Sequence, residues 1–202
     1  MSYMIFMFTA AIIIGIVSGI FGLSTHLMII VLFILAFMSL GYILYTIQFS
    51  KNMDRIHKFL EKNQKQPVYR YAFEVGNGSA ESQLEAIDAI LKKYKSPVMQ
   101  ATYKMHRALL SKNYILAMQE IQTIANKPLG QYCIATLYAL QGDHQQARQI
   151  PLKPAWQQAV VEAIIAFNEQ SPHYEEKKQQ AIDLARGVQR YVNVHFFKDL
   201  EK

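Results

Sequence analysis

Two long apolar runs open the chain, and a short polar break separates them. The first run extends from Tyr3 to Leu23 and the second from Leu27 to Phe49, with residues 24–26 between them. Each run is long enough to cross the roughly 30 Å hydrocarbon layer as a helix. Because the break has room only for a tight turn, residues 1–50 are predicted to form a two-helix transmembrane hairpin whose ends emerge on the same side.

From Pro67 onward, apolar positions recur at the three- and four-residue spacing of helices, and no segment alternates as a strand does. Turn signals interrupt this pattern near positions 78, 113, 143 and 171. Helices are predicted to begin after Ser79 and at Pro97, Pro128 and Pro154, and the helix after Gly142-Asp143 is cut short by Pro151. A long final helix is predicted to carry Ile182, Ala185, Val188, Val192 and Phe196. This period predicts an all-α fold of about four stacked hairpins in residues 67–202.

One of these turns carries a family resemblance. The segment with Tyr138, Gly142, Asp143 and Ala147 resembles the core of a tetratricopeptide repeat. In that family the aromatic residue packs between two helices, Gly-Asp makes the turn and the small residue lets the helices approach. Neighbouring units keep small residues at matching places, namely Ala86, Ala108, Ala117, Ala166 and Ala181. The resemblance implies an α-solenoid that binds a protein or peptide.

The same resemblance implies which residues line the binding groove. The concave face of such an array is formed by the first helix of each pair. The family's groove positions fall on Thr102, His106, Tyr132 and Thr136, and Arg107 and Trp156 are nearby candidates. The paired Lys, Arg and Asn of the family's carboxylate clamp have no counterpart here. An apolar or shape-based contact is therefore expected, and packing of Tyr132 and Trp156 in the core is the competing interpretation.

Charge is distributed very unevenly along the chain. Residues 1–50 contain no Asp, Glu, Lys or Arg, whereas residues 51–70 hold six basic and two acidic side chains. On a helix over residues 51–66 the basic residues form one stripe, opposite Met53, Ile56 and Leu60. The stripe consists of Lys51, Arg55, Lys58, Lys62 and Lys65. Either this helix lies along an anionic leaflet, or it continues straight out of the second span.

The same basic residues predict the orientation of the chain in the membrane. No Lys or Arg precedes the first span or lies in the turn, and the basic flank follows the second span. Since positive flanks stay inside, the amino terminus and residues 67–202 are expected in the cytoplasm. We expect an integral protein of a bacterial cell membrane.

Small residues recur every four positions in the first span. They form one ridge of Ala11, Gly15 and Gly19 and a second of Ser18 and Gly22. Such spacing lets two helix backbones approach closely. The ridges either seat the second span of the same hairpin or mediate homo-oligomerisation or docking on another membrane protein.

The residues that enzymes and metal sites require do not form a recognisable pattern. The six His residues never lie four apart, and no phosphate loop, nucleophile elbow or Cys-x-x-Cys occurs. Cys133 lies on an apolar helix stripe, which favours a core position. We therefore expect no catalysis, metal or cofactor, and no nucleic-acid partner. A membrane-anchored interaction scaffold is the favoured function, and a regulatory or assembly subunit acting through its hairpin is the alternative.

Overall fold

The computed structural model of the protein describes residues 24–202 and, before them, residues 9, 12, 15, 16, 19, 20 and 22. Every regular element in this part of the chain is a helix, which confirms the all-α class. The helices are α1 (Thr25–Gln48), α2 (Met53–Lys62), α3 (Pro67–Asn77), α4 (Ala80–Lys93), α5 (Pro97–Leu110), α6 (Tyr114–Gln122), α7 (Pro128–Leu140), α8 (His144–Gln149), α9 (Ala155–Asn168), α10 (Tyr174–Leu184) and α11 (Gly187–Leu200). The chain divides into two compact units, Met1–Thr46 and Ile47–Lys202.

The first unit is dominated by α1. Residues His26–Gln48 are long and apolar enough to cross a membrane, and among the described residues they are the one helix of this kind. Large apolar side chains along it are exposed, including Phe33, Phe37 and Met38. Most of the first predicted span, with Ala11 and Ser18, lies outside the described residues. The coarse prediction of an N-terminal spanning helix is thus supported, while the two-span hairpin stays a prediction.

Local capping explains where several helices of the second unit begin. The Ser79 hydroxyl accepts a hydrogen bond from the Ser82 backbone N–H at 3.2 Å, so that α4 begins where the sequence predicts. Asn113 and Asp143 cap α6 and α8 in the same way, at 3.0 and 3.2 Å. In each of these two turns the residue before the cap has a positive φ, 54° at Lys112 and 81° at Gly142.

The predicted long final helix is wrong, because the structure has two helices there. α10 ends at Leu184 and α11 begins at Gly187, whose φ is +55°. The Gly187 N–H donates to the Ser50 carbonyl at 2.8 Å, and a Cβ at Gly187 would overlap the Ile47 carbonyl oxygen. Only glycine adopts a left-handed backbone conformation while lying this close to another backbone. The left-handed conformation at Gly187 also separates α10 from α11.

The second unit closes on itself through α11. Consecutive helices pack in pairs, and their buried apolar residues form a row of clusters from α3 to α10. α11 contributes Phe197 to the cluster with α9 and α10, and Tyr191 to the cluster with α2 and α3. The last helix therefore packs against both the end and the beginning of the row, a closure that the open-array prediction lacked.

The amphipathic helix predicted over residues 51–66 is shorter in the structure, where α2 spans Met53–Lys62 and Lys51 and Lys65 lie outside it. Its predicted apolar face is buried, with Ile56 and Leu60 0% exposed against residues of α3 and α11. The chain leaves the helical conformation between Gln48 and Met53, and the Asn52 side chain caps α2 by accepting from the Arg55 N–H at 2.8 Å. The helical conformation is therefore interrupted between α1 and α2, while the position of α2 along a leaflet stays a prediction.

Candidate functional site

Three aromatic rings from α3 and α5 meet on the predicted groove side of the helical unit. The ring centroids of Tyr71 and Tyr103 lie 5.4 Å apart, and the His106 ring lies 5.7 Å from Tyr71 and 6.0 Å from Tyr103. Burial lowers the pKa of His106 to about 4 and raises that of Tyr103 to about 12. All three rings are therefore uncharged at neutral pH, and they present an aromatic surface of low charge.

Thr102 lies on α5 directly before Tyr103 and one helical turn before His106. Its side chain is buried, and its hydroxyl has no hydrogen-bond partner among the described residues. A buried hydroxyl without a partner costs free energy, since it gives up its hydrogen bonds to water. Because the Thr102 oxygen is fully buried, this cost falls on the folded domain, and the hydroxyl is not exposed to a partner.

A second aromatic contact joins α7 to α9. The rings of Tyr132 and Trp156 meet edge to face with centroids 5.0 Å apart. The hydroxyl of Thr136, one turn further along α7, donates to the Tyr132 carbonyl at 2.9 Å. All three side chains are partly buried, so that they contribute to packing and still reach the surface.

Arg107 lies apart from these clusters although it follows His106 in sequence. Its guanidinium pairs with Asp88 of α4 at 2.9 Å, and both side chains are about half exposed. Neighbouring residues on a helix point about 100° apart, which explains the separation. The structure thus brings His106 together with Tyr71 and Tyr103, and Tyr132 with Trp156, but it leaves Arg107 outside both groups.

A polar cluster that the sequence did not reveal centres on Tyr191 of α11. Its buried hydroxyl accepts from the Asn77 side-chain amide at 2.8 Å and lies 3.1 Å from His57 Nδ1. The His195 ring stacks at a tilt, 4.5 Å from the Tyr191 ring, and burial together with nearby Lys198 lowers the pKa of His195. Since the members come from α2, α3 and α11, no local spacing could have placed them together.

The predicted basic stripe lies on the surface of the second unit. Lys51, Arg55, Lys58, Lys62 and Lys65 are all exposed. The four lysines make no ion pair with any carboxylate among the described residues. In the first unit, Gly15, Gly19 and Gly22 are exposed, and a Cβ added at any of them meets no described atom within 4 Å.

Two further features of the described part of the chain are a buried thiol and a cavity beside α9. Burial raises the pKa of Cys133 to about 12, so its thiol stays protonated and is a poor nucleophile. A cavity of about 430 Å³ between α8 and α9 is edged by Arg148 and Glu162, which pair with each other at 2.9 Å. Within residues 24–202 no three His, Cys, Asp or Glu side chains converge in a way that could hold a metal ion.

No protein-family model matches this chain, and neither a characterised protein nor a solved structure matches it significantly. The tetratricopeptide resemblance therefore depends on the residues of this chain alone.

The buried imidazole of His106 predicts a pH-dependent stability. Its pKa is about 4 in the folded protein and about 6.5 in the unfolded chain. Between these values the unfolded state binds the proton and the folded state does not, so stability falls as the pH drops from 6.5 to 4. We expect a loss of about 2–3 kcal/mol from this group. Urea unfolding of the full chain in detergent micelles across this range measures it.

A matched pair of variants isolates the contribution of His106. His106→Phe keeps a ring and removes the titration, so its stability should fall less steeply with acid. His173→Phe is the control, because that side chain is 70% exposed. Identical pH slopes for wild type and His106→Phe would show that the imidazole is solvated in the folded state.

Proposed function

We propose that the protein is a membrane-anchored scaffold whose helical domain presents a tetratricopeptide-like groove to a protein or peptide at the cytoplasmic face of the membrane. One observation carries this proposal above the others. The small residues at the repeat positions are all buried, with no more than 3% of each exposed; they are Ala86, Ala108, Ala117, Ala147, Ala166 and Ala181. Burial of a small residue at every such place allows the close helix approach that this repeat architecture needs.

The anchor would be a hairpin of two spans, and α1 supports its second half. The basic residues that follow α1 favour a cytoplasmic position for the helical domain. Anchoring confines the groove to the membrane plane and raises the effective concentration of a partner there. The mechanism is localisation, and it needs no reaction at the groove.

The groove itself favours an uncharged, partly apolar ligand. The cluster of Tyr71, Tyr103 and His106 carries no charge at neutral pH, and Tyr132 with Trp156 offers a second aromatic contact. A peptide with apolar side chains therefore fits these residues better than an acidic tail.

Photo-crosslinking in intact cells tests this groove. A photoreactive phenylalanine at Thr136 or Trp156 should capture a defined cytoplasmic or membrane partner, which mass spectrometry identifies. The same probe at Ile115, which is 76% exposed on α6, is the control for random capture. Tyr132→Ala should reduce capture at Thr136 at least tenfold, since it removes one ring of the aromatic contact with Trp156, and aromatic side chains supply much of the energy of such interfaces.

Equal capture at Ile115 and Thr136, or capture at Thr136 that Tyr132→Ala leaves unchanged, would contradict the groove. A circular dichroism spectrum of the variant separates lost binding from lost folding.

The alternative function places the activity in the hairpin. Here the exposed Gly15 and Gly19 would pack against another copy or another membrane protein, and the helical domain would regulate that assembly. Replacing both by leucine should then abolish function while insertion is preserved. Under the scaffold proposal, an unrelated two-span anchor should substitute for residues 1–50.

A further inference from the structure

We infer that the basic face of α2 and the α10–α11 turn form one surface, which docks on an anionic lipid leaflet next to the point where α1 leaves the membrane. This surface is called the membrane edge below. It comprises Phe49, Lys51, Arg55, Lys58, Lys62, Lys65 and Leu184. The inference rests on the proposed membrane insertion of α1 and adds the lipid chemistry that the helical domain recognises.

The core fixes which way α2 faces. Ile56 and Leu60 are fully buried against α3 and α11, so α2 cannot rotate without unpacking them. Its basic face must then point away from the domain. Asp54 and Glu61 lie at one side of that face, and no lysine of the stripe pairs with them. The lysines of this face therefore carry positive charge that no carboxylate among the described residues neutralises by an ion pair.

The α10–α11 turn lies beside the end of α1. The Gly187 N–H donates to the Ser50 carbonyl at 2.8 Å, which holds the turn against the segment that follows Gln48. Lys51 contributes to the lowered pKa of Asp183, after the larger effects of Gln179 and Arg190. The hydrogen bond from Gly187 to Ser50 places the α10–α11 turn near Lys51, the residue after Ser50, and the Asp183 carboxylate is already paired with Arg190 at 3.2 Å.

Two exposed apolar side chains complete the membrane edge. Phe49 is 59% exposed immediately after α1, and Leu184 is 39% exposed at the end of α10. Single exposed apolar residues are common on proteins and carry no meaning alone. Phe49, however, follows the last residue of a span-length helix, where aromatic side chains favour the headgroup region. Apolar and basic side chains together fit an interface of acyl chains and anionic headgroups.

Chain geometry keeps the cations within reach of the leaflet. Lys51 lies three residues after Gln48, hence at most about 10 Å from the end of the span. With α2 along the surface, all five cations come within the screening length of about 8–10 Å. Each Lys or Arg near an anionic surface favours the docked state about fivefold, so removing three lowers the docked-to-undocked ratio about a hundredfold.

The test uses the full chain in lipid nanodiscs, with a fluorophore on a single cysteine at Gln64 in a Cys133→Ala background. The discs contain phosphatidylcholine alone or mixed with phosphatidylglycerol, and spin-labelled lipid quenches any fluorophore at the surface. We expect quenching at Gln64 in the anionic discs only, reversed by high salt. A label at Leu184 should be quenched in both, because the turn is held beside α1.

Charge variants identify the cations responsible. Replacing Lys58, Lys62 and Lys65 by glutamine should abolish quenching at Gln64. The matched control replaces Lys92, Lys127 and Lys153, three exposed lysines elsewhere on the domain. Equal loss in both triple variants, quenching that ignores lipid charge, or an unquenched Leu184 label would overturn the inference. The inference is also wrong if the fluorophore at Gln64 stays unquenched in anionic discs and loses mobility only when nucleic acid is added.

The two proposals fail in different ways. If alkaline carbonate extracts the chain from membranes, α1 is not inserted and the anchor of the proposed function is wrong. If the chain is inserted and the Gln64 label stays unquenched in anionic discs, only the membrane edge is wrong. The crosslinking result at Thr136 is independent of both.

Discussion

Replacing Gly187 by alanine is expected to destabilise the helical domain by about 3 kcal/mol or more. The φ of +55° at this residue is unfavourable for any side chain, and a Cβ would overlap the carbonyl oxygen of Ile47. Relief of the overlap requires the α10–α11 turn to move and the hydrogen bond to Ser50 to break. Urea unfolding of the full chain in micelles measures the loss. The single tryptophan, Trp156, reports on the helical domain alone.

Gly142→Ala is the matched control for this variant. Gly142 also has a positive φ, 81°, but a Cβ there meets no described atom within 4 Å. It should therefore cost only the intrinsic penalty of the left-handed conformation, about 1–2 kcal/mol. If the two variants lose the same free energy, the close approach of Gly187 to the end of α1 does not exist in solution.

The contrast between these two glycines shows what sequence reasoning can reach. Gly142 precedes Asp143 in a recognisable turn between two apolar periods, so both the helix end and the helix start were predictable from neighbours. Gly187 sits within a three- and four-residue apolar pattern that continues on either side of the break. Its special backbone is required by Ile47 and Ser50, which are far away in sequence, and no local signal carries that requirement.

The same distinction applies to α2. The burial of Ile56 and Leu60 followed from their spacing, because an amphipathic helix has one apolar face. The elements that cover this face did not follow, since α11 reaches it from the other end of the chain. The closure of the domain, and with it the Tyr191 cluster, therefore required the three-dimensional structure.

The candidate groove was predicted in part. The family resemblance indicated His106 and Tyr132, and the structure surrounds each with aromatic rings. Tyr71 was missed because none of the family positions identified in the sequence falls on α3, and it contacts His106 only through tertiary packing. Arg107 was included by sequence proximity, although its pairing with Asp88 directs it elsewhere.

Closure has a consequence for how the membrane edge and the groove communicate. α11 packs against α2 through Tyr191 and against α9 and α10 through Phe197. α2 is thus joined through α11 to the helices that carry the end of the candidate groove. We therefore expect substitutions in the contact between α2 and α11 to lower the stability of the whole helical domain.

Leu60→Ala is expected to destabilise the helical domain by about 2–5 kcal/mol, although Leu60 belongs to the first helix of the domain and lies far from Trp156 in sequence. Its side chain is fully buried in the cluster of α2, α3 and α11, and its removal leaves a cavity where α11 closes the domain. Trp156 lies on α9, outside this cluster. The unfolding midpoint measured by Trp156 fluorescence therefore shifts only if the helical domain unfolds cooperatively, as expected when α11 joins its two ends. Leu116→Ala, at a position 41% exposed on α6, should change stability by less than about 1 kcal/mol. Should Leu60→Ala leave the Trp156 transition unmoved, α2 would be an independent linker and the basic face would no longer be oriented by the core.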